Sequence, residues 1–167
     1  MTVLRPIRPA LLPLAALAAT VTLAACSMGG FGGGGGSSAS IPLAPGLSAR
    51  MDQPGASLDR AQAVAMINAY RATNGLPALS SDGGLDGSAQ ALANQYASTG
   101  NPPATPQELA GMKLSAGYAT FAETFSGWRN NPADAAAMTT NATRAGIAVS
   151  YNAGSTYGTY WVLVLGQ

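Results

Sequence analysis

Histidine is absent from the 167 residues. There is one cysteine, Cys26, one lysine, Lys113, and charged side chains make up only 9% of the chain. Each shortage excludes something. Without imidazole, and with a single thiol, no tetrahedral zinc site of the usual nitrogen and sulfur donors can be assembled. Oxygen donors alone could hold calcium or magnesium weakly, but no carboxylate cluster of the usual density occurs. A nucleophilic serine has no histidine base, and no Ser-x-x-Lys precedes Lys113, so both common routes to an activated hydroxyl are closed. The lone cysteine cannot close an intramolecular disulfide. There is no basic run and no aromatic-plus-basic patch, so nucleic-acid binding has no electrostatic footprint.

What is present begins with a targeting segment. Arg5 and Arg8 precede an apolar run from Ala10 to Leu23. The run is too short to span a bilayer as a stable helix and reads as a cleaved signal peptide over residues 1–25. It closes on Leu23-Ala24-Ala25-Cys26, which resembles the bacterial lipobox. The resemblance implies that Cys26 becomes the first mature residue and carries a lipid that anchors the chain to a membrane. Several acyl chains together hold such an anchor firmly. The resemblance to Gram-negative lipoproteins implies, with Ser27 and not aspartate after the cysteine, outer-membrane sorting with the domain facing the periplasm. Removing two of the eight basic side chains leaves six against seven acidic ones, close to neutral.

Residues 26–56 read as the acylated cysteine and a flexible tether: five consecutive glycines, then serines, then a proline-spaced stretch. The glycine run lacks the Lys-Ser/Thr ending and the strand–helix setting of a phosphate loop. Residues 57–167 have the length of one domain.

Within that domain, Ser57 can cap a first helix from about Leu58 to Thr73, with Leu58, Ala61, Val64 and Ile67 at helical spacing. Asn74-Gly75 stops it, and Pro77 keeps the crossing segment extended. Asp82 opens a second helix to about Ala97, with Leu85, Ala89, Leu92 and Tyr96 on one face. Thr105-Pro106-Gln107-Glu108 has the form of a cap, an N1 proline and a capping-box acid, and predicts a short helical turn. Met112 to Ala116 fits either a loop or a short strand. Thr120 and Glu123 form a second capping box ahead of Phe121, Phe125 and Trp128, whose spacing reads as core packing. Asn131-Pro132 caps a further helix to about Thr140. The chain ends in two strands, Gly146 to Tyr151 and Thr159 to Leu165. The second is almost wholly apolar or β-branched, as a central buried strand is.

Ile67, Asn68, Arg71, Gly75, Leu76, Leu79, Asp82, Leu85 and Ala89 resemble the opening of CAP-superfamily (SCP/PR-1-like) domains. The family's proline stands one residue early here, at Pro77. Trp128 to Asp134, Gly146 to Val149 and Tyr160 to Gly166 are similar to that family's later motifs, so the likeness covers about Leu58 to Gln167. It implies an α/β fold, a three-layer α-β-α sandwich around a small, mainly antiparallel sheet. It also implies a central cleft that often carries two histidines and acidic residues able to bind a divalent metal. In this chain Asp134 stands at one histidine position, nothing between Ala97 and Gln107 replaces the other, and Met112 stands at the cleft glutamate.

Glu123, Asn131 and Asp134 are the candidate cleft residues. Each also has a local explanation, in a capping box, an N-cap, and an acid near a helix N-terminus. The expected function is non-enzymatic, with no catalytic residue, cofactor or metal. It is a lipid-anchored envelope domain that binds a small apolar ligand, peptidoglycan or an envelope protein, or serves structurally. The alternative is an envelope glycan hydrolase using Glu123 and Asp134, or Glu108 in place of one, as its carboxylate pair.

Overall fold

The structure, a computed structural model, describes residues 44–167. The signal peptide, Cys26 and the first part of the tether lie outside the described residues. The elements run in the order α1 (Pro45–Ser48), α2 (Arg60–Thr73), β1 (Ser80–Ser81), α3 (Gly83–Thr99), β2 (Gly111–Ala116), α4 (Phe121–Asn130), α5 (Pro132–Met138), β3 (Arg144–Tyr151) and β4 (Thr159–Gly166). No helix among them is long and apolar enough to cross a membrane.

The sheet has the order β1-β3-β4-β2. β4 lies antiparallel between β3 and β2, and all eight of its positions are buried. This is the central strand that its composition predicts. Alternation divides its side chains between two layers. Trp161, Leu163 and Leu165 join Ile67, Phe121, Phe125, Trp128 and Met138 from α2, α4 and α5. Val162 and Val164 meet Ala89 and Ala93 of α3 on the other face. The result is the α-β-α sandwich, with one parallel pairing, β1 on β3.

α3 lies very close to the sheet, and Gly146 is the reason it can. A Cβ built on Gly146 would stand 2.1 Å from the Leu85 carbonyl carbon and 2.4 Å from the Asp86 nitrogen. The small faces of Ala89 and Ala93 continue the same close approach. Tyr160 packs edge-on against Tyr96 with ring centroids 4.8 Å apart.

Two local expectations need correction, and one open choice is settled. Asp59, not Ser57, caps α2, its carboxylate accepting from the Gln62 N–H. Thr105 to Glu108 forms no helix; Leu109 N–H closes one turn on Pro106 and the next residue already bonds to β4. So short a segment gains too few hydrogen bonds to offset helix nucleation. The stretch left open between loop and strand, Met112 to Ala116, is strand because β4 offers it a full ladder.

A third correction concerns the tether. Residues 45–48 form a helical turn with proline in its first turn, and Leu47 and Met51 are buried in the main core. Gly46 N–H donates to the Gln62 side-chain oxygen, and Met51 N–H to the Ala119 carbonyl. The packed domain therefore begins before Ser57. Burying a leucine or methionine side chain contributes about 1.5–3 kcal/mol, so a chain starting at Ser57 should lose about 3–6 kcal/mol relative to one starting at Ala44. Urea unfolding of the two chains checks this; equal midpoints would mean that Leu47 and Met51 contribute nothing.

Candidate functional site

The opening motif proves to be a structural knot. Gly75 adopts the left-handed conformation after α2, with φ 70°. Leu79 then runs extended because Asn68 holds it at both ends. Leu79 N–H donates to the Asn68 side-chain oxygen at 2.8 Å, and the Asn68 amide donates to the Leu79 carbonyl at 2.9 Å. Arg71 is wholly buried. Its guanidinium donates to the carbonyls of Pro77, Met138, Thr140 and Ala142 at 2.9–3.4 Å. It has no carboxylate partner among the described residues, and burial pushes its pKa down from the usual arginine value. Asp82 caps α3 through the Leu85 N–H and pairs with Arg144 across to β3. These two bonds hold its carboxyl below the usual range. The motif thus ties α2, β1, α3 and the α5–β3 connection together and leaves no reactive group exposed.

The cleft candidates lie around α4 and α5. Glu123 is in the first turn of α4, where its carboxylate accepts from the Thr120 N–H at 3.0 Å and the Thr120 hydroxyl accepts from the Glu123 N–H at 3.2 Å. The capping box is complete. Beyond the far end of α4, Asn131 caps α5 by accepting from the N–H groups of Ala133 and Asp134. Asp134 forms an ion pair with Lys113 of β2 at 2.5 Å, both side chains about four-fifths buried. Asn131 and Asp134 are thus neighbours, while Glu123 is engaged elsewhere, and no contact joins the two carboxylates.

The Lys113–Asp134 pair is the residue contact that sequence reasoning missed. Its signal was strand alternation. In β2, Lys113 lies opposite Leu163, on the side of α4 and α5, whereas Met112 lies opposite Val164 and packs toward α3. Once 111–116 is a strand, the lysine is the residue that must meet α5. Trp128 adds a second tie, its indole N–H donating to the Leu114 carbonyl at 3.2 Å.

A separate feature lies on the outer side of α2 and α4. Met66, Ala69, Tyr70 and Thr73 of α2 face Phe125 and Arg129 of α4 across an apolar groove of about 370 Å³. Tyr70 and Phe125 meet edge-on at 6.0 Å. The apolar stripe of α4 therefore divides: Phe121 and Trp128 are core, while Phe125 also lines this groove. Arg129, on the groove's rim, is exposed and has no ion-pair partner among the described residues.

Fold and motifs together define a PR-1-type α-β-α sandwich. The chain matches the CAP description, the cysteine-rich secretory protein family, over residues 64–165, and it belongs to that family. Among solved structures it is similar to MpPR-1i, in a crystal soaked with selenourea: 23% identity, TM-score 0.51, covering 61% of this chain and 85% of that one. An outer surface protein of Borrelia burgdorferi matches at 17% identity and TM-score 0.45, over 62% of this chain and 88% of that one. No curated protein matches.

The metal that the family's cleft residues imply does not fit this donor set. The chain has no histidine. No three of histidine, cysteine, aspartate and glutamate gather among the described residues. Asp134 faces the ammonium group of Lys113.

Proposed function

We propose that this is a non-enzymatic binding domain, held at the outer membrane by a lipid on Cys26 and facing the periplasm, that takes up an anionic amphiphile between α2 and α4. The groove carries this reading. Its volume, about 370 Å³, lies within the range of small-molecule sites, roughly 300–1,000 Å³. Its lining is mainly apolar, and the one charged group on it is the Arg129 guanidinium. A hydrocarbon chain would cover Met66, Ala69 and Phe125, and an acidic head group would sit at Arg129. Glycan hydrolysis is less well supported, because Glu123 is bonded to its own helix start and Asp134 to Lys113.

Titration with dodecanoate, followed by calorimetry, tests the proposal. One molecule should bind per chain. Arg129→Glu should weaken dodecanoate by about tenfold, roughly 1.4 kcal/mol, while leaving dodecanol unaffected. Ala69→Trp, which fills the groove from an exposed position on α2, should remove both ligands. Dodecanoate binding that survives Ala69→Trp unchanged would refute the groove as the site.

A further inference from the structure

β3 is only partly covered on the edge that faces away from β4. Asn152 N–H bonds to Gly158 O at 2.7 Å, which fixes the even-numbered positions of β3 toward β4 and turns the odd-numbered backbone groups outward. β1 is two residues long and reaches only Arg144 and Ala145. Beyond it, side chains take over. Ile147 N–H donates to the Asp86 carboxylate at 3.0 Å, and Arg60 Nε donates to the Ile147 carbonyl at 2.9 Å. The Gln90 amide donates to the Val149 carbonyl at 3.2 Å. This closure then stops. The N–H of Val149 and both backbone groups of Tyr151 have no partner among the described residues.

The open stretch lies in a groove. Gln53 to Ala56 form one wall, and Gln90 with Val149 to Tyr151 the other, around about 420 Å³. A smaller pocket of about 210 Å³ shares Ala56, Gln90 and Val149 and extends the groove toward Arg60. Arg60 lies 3.9 Å from Asp86, so that end is electrically balanced. No charged side chain lines the wider part.

We propose that Val149–Tyr151 is a docking edge for one extended, uncharged peptide strand from a partner protein. Two donors and an acceptor, at the spacing of alternate strand residues, match the backbone of an added strand. The groove beside this edge is about 420 Å³ and is bounded by Gln53 to Ala56, a space on the scale of one short segment and not of a second sheet. The neutral lining disfavours a charged segment, which would lose hydration without gaining a counter-charge. This edge lies apart from the α2–α4 groove, so either proposal can fail alone.

The test is selection of displayed random heptapeptides on the whole protein, followed by affinity measurement of the enriched peptides. Tyr151→Pro removes an outward N–H that takes no part in the β4 ladder, so it should fold and should bind at least tenfold more weakly. Methylating alternate backbone nitrogens of the peptide should have the same effect. Amide hydrogen exchange on the unaltered protein gives a readout that does not depend on the variant: bound peptide should slow exchange at Val149 and Tyr151. Enrichment of no peptide, equal binding to Tyr151→Pro, or protection confined to other residues would each overturn the proposal.

Discussion

Arg71→Met should destabilise the domain by about 4 kcal/mol, within the roughly 3–5 kcal/mol seen when one partner of a buried charged network is removed. The guanidinium is wholly buried and serves four carbonyls from two separate segments, the turn after α2 and the α5–β3 connection. Methionine fills much of the same space but donates nothing. Each carbonyl left without a partner costs about 1–3 kcal/mol unless water reaches it. Arg71→Lys should recover little, because an ammonium group cannot reproduce the planar fork that reaches carbonyls on several sides. Urea unfolding of both variants measures the effect. A methionine variant within 1 kcal/mol of the parent, on the scale of an ordinary surface change of about 0.5 kcal/mol, would show that the network is not what holds these segments.

Gly146→Ala should be as damaging by a different route. The new methyl group would meet backbone, the Leu85 carbonyl carbon at 2.1 Å and the Asp86 nitrogen at 2.4 Å. A flexible side chain could swing aside, but this helix start cannot. Asp82 caps it through Leu85 N–H and is paired with Arg144, and Asp86 is bonded to Ile147 N–H. Overpacking ordinarily costs about 1–3 kcal/mol, and here the whole first turn of α3 would have to lift, so at least about 3 kcal/mol is expected. Gly154→Ala is the control: its nearest neighbour is the Asn152 side-chain oxygen at 3.5 Å, and the position should tolerate alanine within about 0.5 kcal/mol. Thermal melting of the pair decides the matter, and similar midpoints for both would mean that α3 does not depend on Gly146.

The readable parts of this chain were those whose cause is local. The Asp82 cap, the Thr120–Glu123 box and the Asn131 cap follow from a few adjacent residues, and each forms. β4 was legible because a run of apolar and β-branched residues has few places to go but a sheet centre. Thr105 to Glu108 shows the limit: the same residue pattern gives a single turn and no helix, because the chain is already bonded to β4 at Ala110. Leu47 and Met51 were hidden in a proline-spaced stretch with no periodicity, and only the facing surface of α2 and α4 shows that they pack. The candidate site was less legible still. Lys113 and Asp134 are far apart in sequence, and their meeting depends on the register of β2 against β4 and on where α5 comes to lie. The groove between α2 and α4 likewise needs both helices in place, although the spacing of Met66, Ala69, Tyr70 and Thr73 marks one side of it.

Lys113 and Asp134 neutralise each other where β2 meets α5. The motif residues that the chain keeps, Asn68, Arg71 and Asp82, all work on the fold. Of the three grooves described, the one between α2 and α4 is the most apolar. No group of three metal-donor side chains gathers among the described residues, so the proposed reading is a domain that binds without a metal.

Zinc titration of the purified protein, read by calorimetry and by melting temperature with and without chelator, tests this most directly. Structural zinc in small peptides contributes about 10–16 kcal/mol, so a real site would be conspicuous. A chain without histidine, whose Asp134 is paired with Lys113, should give no stoichiometric binding and the same melting temperature in both buffers. A one-to-one site of micromolar affinity or better, about 8 kcal/mol, together with a melting temperature that falls on chelation, would contradict it.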